Sequence, residues 1–276
     1  MSPEEFFELL LVELKEQPEM WGYYKFLQDG SSFEFRKAYF LERLRYVWNH
    51  FKELPQDTRS WDCGCGYGTT ALFLAMNGYP VHGTTLEFYF AFIAGRKAYW
   101  SQYGNAELFT CSYENLFDSP PPAGNYDRII VQDTLHHVEP IGEGIRILGA
   151  ALSPAGQLVI VEENGSNIVQ RAKLYKQRGS KRIIPFWDEK LQKEILIGNE
   201  NIRSLEHWQQ LLLAGGLQIL PESVSYVRYY LPQWYRGQSA EAVLEKERAL
   251  QRTSKMRKKF LFFGLNFRVG KKGIVK

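Results

Sequence analysis

The stretch Arg59-Ser60-Trp61-Asp62-Cys63-Gly64-Cys65-Gly66-Tyr67-Gly68 decides the fold. Ser60 to Cys63 suits a short buried strand, three glycines spaced two apart follow it, and Thr69 to Asn77 then reads as a helix. Strand, glycine turn and helix open a βαβ unit. Glycine takes backbone conformations that other residues avoid and lets a ligand come close. Open parallel sheets bind ligands beyond the carboxyl ends of their strands, where this turn would lie. The spacing G-x-G-x-G differs from the G-x-G-x-x-G of dinucleotide sites, which disfavours a nicotinamide cofactor.

Outward from the turn the pattern continues. Pro80 to Thr84 reads as a second strand, Phe88 to Tyr103 as a helix, and Ala106 to Cys111 as a third strand. Tyr126 to Gln132 is a buried strand, Gly142 to Leu152 a helix, and Gln157 to Glu162 another buried strand after the turn Ser153-Pro154-Ala155-Gly156. Strands alternating with helices predict a parallel sheet covered on both faces. Upstream, Glu4 to Glu16 and Phe33 to Phe51 carry helical spacing, so residues 1–55 are expected to form a helical cap before a domain spanning 56–276. Residues 164–203 read as an irregular, basic insertion over the sheet. Ser204 then caps a helix that ends at Gly215-Gly216, and Leu217 to Tyr230 reads as strand interrupted at Pro221. Ala240 to Lys259 reads as one charged helix and Phe260 to Val269 as a last strand.

The chain of 276 residues is 45% hydrophobic, enough for a full core, and its net charge is only +3. So small a surplus disfavours a nucleic-acid partner. No apolar run is long enough to span a membrane. The acidic start Met1-Ser2-Pro3-Glu4-Glu5 does not resemble a signal peptide. Three cysteines, Cys63, Cys65 and Cys111, fit a reducing, cytoplasmic setting rather than a disulfide framework. Cys63-x-Cys65 lacks a second ligand pair, so no zinc or other metal site is expected. Aromatic residues make up 15% and either fill the core or line a pocket for an apolar or planar molecule.

Two further places could carry chemistry. An acidic residue some 20 positions after a glycine turn often binds ribose hydroxyls. Glu87 is the carboxylate nearest that place, and its plainer reading is a solvated charge in the first turn of a helix. His136 and His137 directly follow the strand ending at Gln132, at the rim of the same crevice. A histidine with a near-neutral pKa can take a proton from a hydroxyl. His136 is expected to face the pocket and His137 to bond to backbone.

Arg59 to about Ile219 resembles the class I S-adenosylmethionine-dependent methyltransferase superfamily. Asp62-Cys63-Gly64-Cys65-Gly66-Tyr67-Gly68 is similar to its first motif. Tyr126 to Gln132 with Thr134-Leu135-His136-His137-Val138 is similar to its fourth-strand motif, and Leu152 to Ile160 to its fifth. The resemblance implies a Rossmann-like seven-stranded sheet with an antiparallel last strand, and S-adenosyl-L-methionine as cofactor. It implies that Asp62 anchors the turn and faces the methionine amino group. Gly64 and Gly66 would pass close to the methionine part, with Cys65 and Gly68 also in the cofactor-binding turn. Gln132 would lie beneath it, with Asp133 a weaker candidate. Adenine contacts would come from the loop Cys111-Ser112-Tyr113-Glu114-Asn115-Leu116, through Ser112 and the Tyr113 backbone, where Ser112 replaces the usual acid.

The preferred activity is O-methylation of a small molecule, aromatic or apolar, with N- or C-methylation behind it. Residues 1–55 and 164–203 would cover that acceptor, with Phe35, Tyr39, Tyr175, Phe186 and Trp187 as candidate contacts. An RNA or protein methyltransferase is demoted, because Gln132-Asp133-Thr134-Leu135 stands where amino-methylating enzymes carry Asn/Asp-Pro-Pro-aromatic. A non-catalytic cofactor-binding protein is the third reading. The basic stretch Arg252 to Lys259 is either a solvated helix face or a contact for phosphate or an anionic membrane.

Overall fold

A computed structural model describes residues 1–28, 30–86 and 89–273. The N-terminal part holds α1 (Pro3–Glu16), α2 (Trp21–Tyr24) and α3 (Phe33–Asn49). Then follow β1 (Ser60–Cys63), α4 (Thr69–Met76), β2 (Val81–Thr85), α5 (Phe90–Trp100), β3 (Phe109–Tyr113), β4 (Tyr126–Gln132), α6 (Ile141–Ala151) and β5 (Leu152–Glu163). The rest comprises α7 (Ile168–Arg178), β6 (Ile183–Asp188), β7 (Lys193–Gly198), α8 (Leu205–Ala214), β8 (Leu217–Ile219), β9 (Ser225–Val227), α9 (Ala240–Thr253), α10 (Lys255–Leu261) and β10 (Gly264–Lys271).

The main sheet runs β3-β2-β1-β4-β5-β10-β8, with β9 also on β10. Strands β1 to β5 are parallel, and β10 enters antiparallel to β5, pairing Gly264 with Glu163 and Phe267 with Ile160. β8 and β9 share the far edge of β10 on either side of a turn at Pro221–Ser223. Proline has no N–H to give a ladder, so the edge strand breaks there. The eight strands thus fill seven positions, as the resemblance implies.

The N-terminal helices continue the core. Phe6, Phe7 and Leu10 of α1 and Leu41, Leu44 and Val47 of α3 share one buried cluster with Leu72, Phe73 and Leu74 of α4. This explains why α4 is apolar all round: its outer face is covered too. The seam holds a buried ion pair. Arg96 of α5 donates from Nε and Nη2 to the two oxygens of Glu13 at 2.8 and 2.6 Å, and both side chains are fully buried. The same guanidinium donates through Nη1 to the Tyr67 carbonyl and to Thr69 Oγ1. Helix α1 therefore braces the glycine turn.

Two sequence expectations change. Residues 164–203 are not irregular: they form α7 and the antiparallel hairpin β6–β7. Asn167 caps α7 by accepting from Gln170 N, while Pro185 and the many charges mask the period-two pattern of the hairpin. The helix expected over 240–259 is two helices. Ser254, extended at φ −153°, ends α9 and caps α10 by accepting from Arg257 N, so β10 starts only at Gly264.

Candidate active site

The glycine turn hangs from β2: Gly64 N and Cys65 N both donate to the Thr84 carbonyl at 2.9 Å. Gly64, Gly66 and Gly68 have φ of +79°, +52° and +74°. A Cβ at Gly64 would strike Thr134 at 2.3 Å, and one at Gly68 would strike Phe109 at 2.5 Å. At Gly66 that space is open and forms part of a cleft of about 630 Å³ beyond the strand ends.

β4 delivers the opposite lip. Gln132 accepts from Thr70 Oγ1 at 3.2 Å, which holds its amide at the floor of the cleft. Asp133 has φ +49°, a left-handed residue that turns the chain sharply out of the strand. Its side chain pairs with Arg43 of α3, yet Oδ1 is buried without a partner. Thr134 N donates to Glu162 Oε1, and His136 Nδ1 meets Glu162 Oε2 at 2.6 Å. Burial would lower the His136 imidazole, but Glu162 outweighs it and lifts the pKa to about 9. His137 donates from Nδ1 to the Gly198 carbonyl at 2.9 Å. The Nε2 atoms of His136 and His137 lie 3.8 and 4.0 Å from the Glu200 carboxylate. Those three groups are the cluster among the described residues that could hold a metal ion.

Of the residues expected from the sequence, Gly64, Gly66, Gln132, Asp133, His136, His137 and Phe186 line this one cleft, whereas Phe35, Tyr39, Tyr175 and Trp187 do not. Asp62 lies behind the turn, 2% exposed. Burial alone lifts its carboxyl to about 7, and no hydrogen bond from a described residue offsets that cost. The Cys65 thiol turns away to within 3.7 Å of Cys111 Sγ. Gly68 starts α4 rather than lining the cleft. The Ser112 hydroxyl bonds His82 Nε2, and the Tyr113 hydroxyl donates to Asp188 at the end of β6, so neither side chain faces the cleft. The next residues, Glu114 and Asn115, do. Glu87 lies outside the described residues.

Sequence reasoning passes over Glu162, Glu200 and Tyr23, whereas Glu114 belongs to the loop expected to contact adenine. Two successive carboxylates closing the apolar strand Val159 to Glu163 were the available signal for Glu162. Electrostatically the cleft is one-sided. Glu114, Asp133, Glu139, Glu163 and Glu200 line it, and among the described residues no lysine or arginine does. Arg43, Arg203 and Arg228 neutralise three of these acids from outside the lining. Such a cleft fits a cationic ligand, and a sulfonium cofactor with an ammonium group is one.

A methyltransferase-domain family matches residues 33–223 of the chain. The chain belongs to that family and, with this sheet order and glycine turn, to the class I S-adenosylmethionine-dependent methyltransferases. No curated protein sequence matches it. Among solved structures it is similar to phosphoethanolamine N-methyltransferase 2 of Haemonchus contortus in complex with S-adenosyl-L-methionine. That likeness has a TM-score of 0.56 and 16% identity over 84% of this chain, which spans only 52% of that protein. Geranyl diphosphate C-methyltransferase of Streptomyces coelicolor, in complex with Mg²⁺, geranyl diphosphate and S-adenosyl-L-homocysteine, gives 0.58 and 14% over 87% of this chain and 82% of that one. The [4+2]-cyclase SpnF gives 0.55 and 19% over 83% and 80%. Likenesses this distant carry the fold, and the chemistry must come from the cleft.

Proposed function

We propose that the chain methylates a hydroxyl of a small-molecule acceptor. The observation that carries this reading is the His136–Glu162 dyad, which opens onto the same cleft as the glycine turn. When bound, S-adenosylmethionine supplies an electrophilic methyl group on a sulfonium. Gly64 and Gly66 would let the backbone approach it, the buried Asp62 carboxylate behind the turn would complement its ammonium, and the Gln132 amide would fix its depth. Glu162 holds His136 by Nδ1 and leaves Nε2 toward the acceptor. His136 Nε2 would take the proton that the acceptor hydroxyl loses as its oxygen bonds the methyl group, the electron pair of the broken bond staying with the donor. Glu162 neutralises the resulting imidazolium. Phe186, Ile195 and Ile197 of the hairpin line the acceptor side and exclude water. The free thiols Cys65 and Cys111, close but unbonded, fit a reducing, cytoplasmic setting.

Thermal shift tests the first half: S-adenosylhomocysteine should raise the melting temperature and NAD should not. Methyl transfer to hydroxylated rather than amino acceptors, lost in His136→Ala, tests the second. Methylation of amines alone, or a full rate in His136→Ala, would remove this role from His136.

A further inference from the structure

One strongly basic region has no part in the cleft. Arg171, Lys173, Lys176, Arg178, Lys181 and Arg182 lie on α7 and just after it, and Lys255, Arg257, Lys258 and Lys259 lie on α10. These are ten of the 34 lysines and arginines of the chain. Residues 168–182 and 255–262 contain no carboxylate, so all 31 acids fall elsewhere and the remainder of the chain is net acidic. The two helices are neighbours: Asn164, just before α7, donates from its side chain to the carbonyls of Lys259 and Phe262. Between them runs a groove of about 820 Å³ lined by Arg171, Arg178, Arg182, Arg203 and Lys259. Lys259 pairs with Glu206 and Arg203 with Glu139. Arg171, Lys173, Lys176, Lys181, Lys255, Arg257 and Lys258 have no ion-pair partner among the described residues. Burial lowers the Arg182 guanidinium, and Arg178, Arg203 and Arg171 lower it further.

Large apolar side chains stand exposed among these cations. Ile168 and Val169 are each 54% exposed, Tyr175 71% and Met256 66%. Ile183, next to Arg182, carries the same character into the hairpin that covers the cleft. Cations alone would suit a nucleic acid. Apolar and aromatic side chains interleaved with lysine and arginine suit the boundary between phospholipid headgroups and acyl chains. No helix among the described residues is long and apolar enough to cross a membrane, so this face would lie on the bilayer.

We propose that α7 and α10 form a docking face for an anionic phospholipid bilayer, with the groove between them seating headgroup phosphates. Taken with the methyl-transfer reading, on which this step rests, the acceptor is an amphiphile that reaches the cleft from the lipid side, past the β6–β7 hairpin.

Vesicle flotation with the full chain tests the docking. The protein should float with phosphatidylcholine vesicles containing phosphatidylglycerol and stay behind with phosphatidylcholine alone. Lys173→Glu combined with Lys176→Glu should weaken flotation at least tenfold. Ile168→Ser combined with Val169→Ser should weaken it several-fold with every charge kept, which a merely solvated basic face would not do. All these positions are exposed, and matching melting curves check the fold. No flotation with phosphatidylglycerol, an unchanged serine variant, or retention on single-stranded RNA in place of vesicles would overturn the proposal. S-adenosylhomocysteine affinity, measured on the same samples, should not move between variants. If it binds and flotation fails, only the docking falls; if flotation succeeds and it does not bind, the methyl-transfer reading falls.

Discussion

The two walls of the cleft are built in opposite ways. The cofactor wall is backbone: three left-handed glycines hung from the Thr84 carbonyl and braced from behind by Arg96. The wall we assign to the acceptor is side chain: a hairpin with alternately covered and exposed residues. It is tied down by the Val138–Ile197 bridge, the Gly198 N bond to the His137 carbonyl, and Tyr113 on Asp188. A wall of backbone restricts which residues can stand there, because few tolerate positive φ. A wall of side chains on a two-stranded frame accepts many sequences. On the proposed reading, the cleft therefore declares its cofactor and leaves the acceptor to the cover.

The largest effect should come from the cofactor wall. Gly66→Val forces a β-branched residue to φ +52° and fills the open side of the cleft. S-adenosylhomocysteine binding should become undetectable by calorimetry while a cooperative melt survives. Normal affinity would show that the turn is not the seat. Next, Glu13→Ala strands the buried Arg96 charge. It should cost about 3–5 kcal/mol in urea unfolding and loosen cofactor binding as well, since Arg96 also holds the Tyr67 carbonyl. Stability lost without any change in affinity would mean that the brace serves the core alone.

Much of this contrast is legible in the sequence, and the illegible part has a physical cause. Glycines at 64, 66 and 68 announce their conformation because little else fits it. The strands of the sheet show as short apolar runs because both faces are covered. Glu13 gives no such sign: its partner lies 83 residues away, and a helix-borne Glu looks solvated until the fold buries it. Glu162 is hidden in the same way, 26 residues from His136. Ser112 and Tyr113 occupy the expected loop, but whether a side chain turns to the cleft or to His82 and Asp188 depends on neighbours brought in by β2 and β6.

The acceptor wall yields smaller effects. Glu162 accepts from two donors, Thr134 N and His136 Nδ1, and a glutamine there can serve only one as acceptor. Glu162→Gln should lower kcat about a hundredfold with cofactor affinity intact; equal losses in both would make Glu162 structural. In the wild type His136 must be unprotonated to accept a proton. Since Glu162 raises its pKa to about 9, kcat/KM should climb with pH toward 9. A flat profile there would argue against the base. The smallest effect belongs to Asp62. Its carboxyl titrates near 7 in the free protein, so affinity for a cationic cofactor should rise as pH passes upward through 7, with proton release on binding below it. Asp62→Asn should bind about tenfold more weakly and lose that pH dependence.

The Arg96 fork has a last consequence, for how the molecule opens. One guanidinium, fully buried, grips Glu13 near the chain start and the Tyr67 carbonyl in the turn. Opening the first contact strands two charges in the interior, and opening the second leaves a buried carbonyl without its donor, so α1 and the turn form a single cooperative unit. The family match begins at Phe33 and leaves α1 out, yet the slowest-exchanging amides of the cofactor loop should report the stability of that first helix.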